Sequence, residues 1–322
     1  MSSSSDVGGI TRQEALELLT LQGEELEQLV RRAGALRSVR FGNRVRLCAI
    51  SNAKSGACPE QCDFCAQSAR FRAPSPLFPM KSARQIADEA RLAEVAGALE
   101  FSIVTSGRAL RRERDLTEVE GALRLIGEET HLERCASLGE LPGELLGRLR
   151  EAGMMRYHHN IETAPSFHAQ IVHTHSYDDE VRVVNDARRA GLLTCCGGIL
   201  GMGETGEQRV ELAFALRDLD PDCVPLNFLD PRPGTPLEGR NDLSPLECLR
   251  IIAIFRLVLP DKGIFVCGGR ERNLGPLQHR MFEAGATGTM VGDYLTTGGQ
   301  SAEEDQRMIR RSGFAVEEPP TQ

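Results

Sequence analysis

Three of the chain's ten cysteines, Cys58, Cys62 and Cys65, stand within eight residues in the stretch SGACPEQCDFCAQSARF (55–71). Thiolates at these spacings fold around one metal centre, and soft sulfur selects zinc, copper(I) or iron–sulfur. Structural zinc takes four ligands, commonly as two CxxC pairs, and no second pair follows. Two plain readings stay open, a zinc loop whose fourth ligand lies far along the chain and a chance grouping. The third is a 4Fe-4S cube held through three cysteines, which leaves one iron free to bind a small molecule.

The other seven cysteines are Cys48, Cys135, Cys195, Cys196, Cys223, Cys248 and Cys267. The opening residues MSSSSDVGGI carry neither a basic segment nor an apolar one, so no export signal is expected and the lead reads as disordered. In a reducing cytoplasm, thiols serve as small buried apolar groups or as metal ligands, not as a disulfide framework. His158, His159, His173 and His175 read more readily as satisfied polar residues than as ligands.

The elements that must position these groups follow from the apolar rhythm of the 322 residues. Short apolar runs recur at 45–50, 100–105, 132–137, 155–161, 193–199, 223–228, 264–269 and 287–292. Between them lie helical patterns such as SARQIADEARLAEVAGA and SPLECLRIIAIFRLVLP, ending in Gly or Pro. Eight strands alternating with helices predict a (β/α)8 TIM-type barrel, with a doubly wound open sheet as the alternative. An amphipathic stretch at 11–34 adds an N-terminal helical extension. The expected division is a lead and helix over 1–40 and a barrel with a C-terminal helix over 41–322. In a barrel the chemistry sits at the C-terminal ends of the strands, and the three-cysteine segment follows the first strand. With 41% hydrophobic residues the chain can bury a large core. No run approaches the ~20 apolar residues of a membrane span. A net charge of −8 without a basic stripe argues against nucleic acid.

The CxxxCxxC spacing, with Phe64 before its last cysteine, resembles the radical S-adenosylmethionine superfamily. Six segments in order, SGACPEQCDFCAQSARF, YHHNIET, CGGILGMGET, VPLNFL…PGTPL, GGRE and YLTT…SAEED, resemble the biotin synthase family over roughly residues 40 to 310. The resemblance implies that S-adenosylmethionine binds the open iron of a cluster on Cys58, Cys62 and Cys65. One electron then cleaves it to a 5′-deoxyadenosyl radical. It implies sulfur insertion between the unactivated carbons 6 and 9 of dethiobiotin, giving biotin, with an auxiliary iron–sulfur cluster as sulfur source. Residue by residue, Asn160 and Glu162 match the ribose site, where the family commonly has Asp at the second position. Asn160 also faces the ureido ring. Gly197 and Gly198 match a close backbone approach to the methionine moiety, Asn227 a contact to adenosyl and substrate, and Thr296 and Thr297 the substrate carboxylate. It further implies a flavodoxin or ferredoxin as electron donor, a homodimer and a cytoplasmic location. Related radical enzymes, a hydrogenase maturase or a methylornithine synthase, are the enzymatic alternative. An iron–sulfur carrier or zinc protein is the non-enzymatic one.

The pattern departs from the family at the second cluster, usually 2Fe-2S on three cysteines and an arginine. Cys135, Cys195 and the arginine of GGRE, Arg270, are present, but Ser102 replaces the second-strand thiol. Cys196 and Cys267 are additional. Neighbours on a strand point to opposite faces, so Cys195 and Cys196 cannot both face the lumen, and Cys267 and Arg270 differ in parity unless Gly268 and Gly269 kink the chain. The expected auxiliary ligands are Cys135, Cys195 and Cys267, with Cys196 in reserve and Arg270 nearby, on a cluster of four-iron type. Cys48, Cys223 and Cys248 are assigned to packing.

Overall fold

A computed structural model describes residues 9–319, so most of the lead expected to be disordered, residues 1–8, lies outside the description. The strands are β1 (Arg44–Lys54), β2 (Glu100–Thr105), β3 (Glu133–Ser137), β4 (Arg156–His158), β5 (Leu193–Cys195), β6 (Gly198–Leu200), β7 (Cys223–Phe228), β8 (Gly263–Val266), β9 (Gly288–Met290) and the short β10 (Ala315–Val316). Neighbouring strands pair in parallel around the ring, and β9 pairs with β1 through Arg46–Gly288 and Cys48–Met290, which closes it. The fold is therefore the eight-stave barrel and not the open sheet, with β5 and β6 together forming one stave. β10 extends β1 outside the ring.

β1 shows how sequence sets the two faces. Val45, Leu47, Ala49, Ser51 and Ala53 are buried toward the surrounding helices, while Arg46, Cys48, Ile50 and Asn52 alternate onto the other face, toward the lumen. The outer layer is α3 (Ala83–Val95), α4 (Glu113–Glu129), α5 (Gly143–Glu151), α7 (Tyr177–Arg189), α8 (Gly206–Leu219) and α9 (Pro245–Val258), with α11 (Ala302–Arg311) after the last stave. Ser82, Ser176, Thr205 and Ser301 start four of these helices with reciprocal capping boxes, each satisfying two otherwise orphaned donors. The N-terminal extension is α1 (Arg12–Glu17) and α2 (Gly23–Phe41), and α2 packs on α9.

Two expected strands are shorter than their apolar runs. The run at 193–199 is broken between β5 and β6. Cys195 pairs with Cys223, but opposite the break lies Pro225, which has no N–H to give the ladder. A Cβ on Gly197 would lie 1.8 Å from the Pro225 carbonyl oxygen, so only glycine passes there. The run at 155–161 ends as a strand at His158, and Glu162 then turns the chain with φ +58.

Candidate active site

The lumen is a cavity of about 760 Å³ lined by residues of every stave and of the loops beyond their C-terminal ends. Cys58, Cys62 and Cys65 line it from the loop after β1. Cys58 N donates to Gln67 O (3.1 Å), Ala69 N to Cys58 O (2.8 Å) and Cys65 N to Cys62 O (2.9 Å), a tight turn that gathers the thiols. Burial pushes the Cys65 thiol up to about 11 and Cys62 still higher, and each of the two is raised further by the neighbouring thiols. Three such protons become easy to lose only with a cation among the sulfurs, so the donor set fits a soft metal centre.

The loop is clamped from one side by residues 171–175. Asp63 N donates to Ile171 O (2.9 Å), His173 N to Gln61 O (3.0 Å) and Gln61 N to the Thr174 hydroxyl (3.0 Å). The Thr174 hydroxyl donates to Glu60 (2.6 Å), and His175 bridges Glu60 (2.8 Å) and Glu180 (2.7 Å) through its two ring nitrogens. Glu180 also meets His159. Burial opposes charge on His175, but the hydrogen bonds and charges of Glu180 and Glu60 raise it to about 9. Glu180 is held down at about 2 by the two histidines, against its own burial. Of the histidines read as satisfied polar residues, His159 and His175 sit in this network, and His173 pairs with Asp63 (3.1 Å).

Asn160, Glu162, Asn227, Thr296 and Thr297 all line the same cavity. Asn160 accepts from Gly197 N (3.1 Å) and reaches Glu162 (3.4 Å). Burial lifts the Glu162 carboxyl to about 7. Asn227 accepts from Gly268 N (2.9 Å) and donates to Gly198 O (3.3 Å), tying three staves together. Thr297 O accepts from Tyr294 N (2.9 Å), and Leu295 O from Asn52 (2.7 Å), which fixes the threonine loop at the mouth. At Gly197 and Gly198 an added Cβ would meet the Pro225 and Glu162 carbonyl oxygens, and the next residue, Ile199, lines the cavity.

Further along the strands the lumen is lined by a second group of thiols, Cys48, Cys135, Cys195, Cys223 and Cys267. Cys48, Cys195, Cys223 and Cys267 pack together with Phe265 and Met290. Cys267 does face inward, two residues after Phe265 and on the same side. Cys48 and Cys223, assigned to packing, do pack in this cluster, and both also face the lumen. Cys248 lies on the buried face of α9, in the main core. Cys196, the reserve ligand, is buried in the main core between barrel and helices and does not line the cavity. Arg270, expected near the second cluster, is a correction. Gly269, at φ +71, turns the chain into the short α10 (Arg270–Leu274), so the guanidinium points away and binds both Asp305 carboxylate oxygens (2.7 Å each). The arginine at the inner thiols is Arg156. It lies 3.8 Å from Cys223 Sγ, 3.0 Å from Glu100 and 3.4 Å from Glu133. Ser102 sits across from Cys135, its buried hydroxyl without a hydrogen-bond partner. Convergent thiols, an adjacent cation and an unsatisfied hydroxyl fit a second iron–sulfur centre.

Strand parity could have found two of the missed residues. Cys223 lies four residues before Asn227, and Arg156 four before Asn160, so each pair shares a face. The Glu60–His175–Glu180 network had no comparable signal, because its members come from separate loops and a helix.

Comparison with known proteins gives two family models, "Radical SAM superfamily" over residues 53–216 and "Biotin and Thiamin Synthesis associated domain" over 225–315. The chain is 53% identical over 300 residues to a biotin synthase of Anaeromyxobacter dehalogenans, covering 93% of this chain and 83% of that one. It is 51% identical over 307 residues to a biotin synthase of Geobacter sulfurreducens, covering 95% and 93%. Among solved structures, a methylornithine synthase superposes with TM-score 0.85 at 23% identity, covering 97% of this chain and 95% of that one. A hydrogenase maturase from Carboxydothermus hydrogenoformans follows with TM-score 0.81 at 18% identity, covering 96% and 76%. These two share the fold, whereas the biotin synthases share half the sequence.

Proposed function

The chain belongs to the biotin synthase family of radical S-adenosylmethionine enzymes, and from that premise we propose how its own residues divide the conversion of dethiobiotin to biotin. The observation that carries the reading is one cavity lined by both thiol groups and by the threonine loop. When bound, the cluster on Cys58, Cys62 and Cys65 supplies the electron that cleaves S-adenosylmethionine, and the auxiliary cluster supplies the sulfur. Asn160 and Glu162 offer the ribose its hydrogen-bond acceptors, and Asn160 and Asn227 face the adenosyl group and the ureido end of dethiobiotin. Thr296 and Thr297 donate to the valerate carboxylate at the mouth. Ile50, Phe265 and Met290 give the inner cavity an apolar wall that keeps water from a carbon radical.

In this reading Cys135, Cys195 and Cys267 hold the auxiliary cluster. With Arg270 held by Asp305 and Ser102 in place of a thiol, the cluster is read as four-iron in type in place of the family's usual 2Fe-2S. Arg270 acts through Asp305 as a strut. The electron comes from a flavodoxin or ferredoxin, the active form is a homodimer, and the enzyme works in the cytoplasm. No helix of the described residues is long and apolar enough to cross a membrane. Residues 1–40 form the lead and extension, and 41–322 the catalytic domain.

The test is anaerobic reconstitution with iron and sulfide, followed by dethiobiotin, S-adenosylmethionine and a reductant. Cys62→Ala is expected to lose 5′-deoxyadenosine formation and about four iron per chain while keeping the parent's melting temperature. Substantial cleavage by that variant would overturn the assignment. Thr297→Val is expected to weaken dethiobiotin binding by about 0.5–1.5 kcal/mol, and parental affinity would remove the carboxylate contact.

A further inference from the structure

The inner lumen holds more sulfur than three ligands use. Cys48 and Cys267 pack in one cluster with Cys195 and Cys223. Register sets Cys195 on β5 opposite Cys223 on β7. Phe265 and Met290 wall the cluster, with Cys135 lining the same cavity from β3. Cysteines that only pack look different here, for Cys196 and Cys248 lie among aliphatic side chains outside the ring of staves. Cys223 instead has a guanidinium nitrogen of Arg156 at 3.8 Å.

Arg156 is the second observation. Its side chain is 11% exposed, deep in the barrel, and Glu100, 9% exposed, binds it at 3.0 Å. A second carboxylate, Glu133, lies at 3.4 Å, and the remaining nitrogen, Nη1, is turned to the sulfur of Cys223. A buried guanidinium is stable beside negative charge, and thiolates facing it would add to that charge.

We propose that Cys48 and Cys223 are ligands of the auxiliary centre together with cysteines of the set Cys135, Cys195 and Cys267, and that Arg156 is its charge-balancing positioning residue. Each ligating thiol gives up its proton to solvent as it takes iron, with no change of oxidation state at sulfur. This packing brings four thiols from β1, β5, β7 and the segment after β8 to one place, a complete ligand count for a four-iron cluster. Ser102 then has no need to ligate, which accounts for a hydroxyl where the family has a thiol. The proposal rests on the reading that the barrel holds an auxiliary cluster.

The experiment separates the two. A Cys58→Ala/Cys62→Ala/Cys65→Ala chain, lacking the first site, is reconstituted anaerobically, and its iron, sulfide and Mössbauer spectrum are measured. Bound iron–sulfur in this background supports the auxiliary reading, and none would end both. Adding Cys48→Ser and Cys223→Ser is expected to lower iron at least about twofold and alter the spectrum. Cys196→Ser should change neither. Full iron with an unchanged spectrum in the Cys48/Cys223 variant would overturn the ligand assignment while leaving the auxiliary reading intact. If that variant fails to fold by circular dichroism, Cys48→Ala and Cys223→Ala are compared singly, and parental iron and spectrum in both overturn it equally. In the same background Arg156→Gln should make the barrel centre harder to reduce, because a neighbouring positive charge is gone, and Arg156→Lys should recover part of the shift. An unchanged midpoint potential in Arg156→Gln removes Arg156 from the proposal.

Discussion

His175 is one imidazole held between two carboxylates, and that contact ties the loop of Cys58, Cys62 and Cys65 to α7. Its pKa is raised from 6.5 to about 9, so the folded chain keeps a proton there that the unfolded chain loses between those values. The stabilisation is fully present below pH 6.5 and fades as pH rises through about 9. His175→Gln in the metal-free protein is therefore expected to cost about 3 kcal/mol at pH 6, the penalty of breaking a buried pair, and much less at pH 10. Urea unfolding at the two pH values checks this, and a gap that widened with pH would contradict it. Little of this was legible in sequence. A histidine near a strand carries no mark of its partners, and Glu60 and Glu180 lie 115 and 5 residues from it. By contrast, the thiol triplet of the loop was legible because its three members are local and their spacing alone limits the chemistry.

At the scale of elements, α10 and α11 brace the mouth. Arg270 grips the fully buried Asp305 on α11 and donates to Gln278 (2.7 Å), while Tyr294 donates its hydroxyl proton to Glu271 (2.8 Å). The segment carrying Thr296 and Thr297 hangs between these anchors. Asp305→Ala leaves a buried guanidinium unpaired and is expected to cost about 3–5 kcal/mol and to raise the KM for dethiobiotin. Asp305→Leu with Arg270→Met removes both charges and should recover most of the stability. Thermal melting and steady-state kinetics read both, and an unaffected KM in Asp305→Ala would detach the strut from the mouth. The sequence showed Arg270 and its neighbouring glycines but not the direction of its side chain. That direction depends on the left-handed turn at Gly269, where a Cβ would lie 1.9 Å from the Phe228 carbonyl oxygen. The strands were easier to read, since each alternating run had to bury one face. They failed where backbone geometry broke the ladder, at Pro225 and Glu162.

At the scale of the whole molecule, a closed barrel gives one interior to two sulfur-bearing groups, one in the loop beyond the first strand and one on the strands themselves. The barrel alone does not choose the reaction, because the methylornithine synthase and the hydrogenase maturase share it at 23% and 18% identity. This interior carries inner thiols, and the central claim is that sulfur held there enters dethiobiotin. The direct measurement is a single turnover of enzyme reconstituted with isotopically heavy sulfide and freed of excess label, followed by mass spectrometry of the biotin formed. Heavy sulfur in the biotin, formed together with 5′-deoxyadenosine, is the expected result. Biotin carrying only sulfur of natural abundance, or S-adenosylmethionine cleavage with no biotin, would contradict the account.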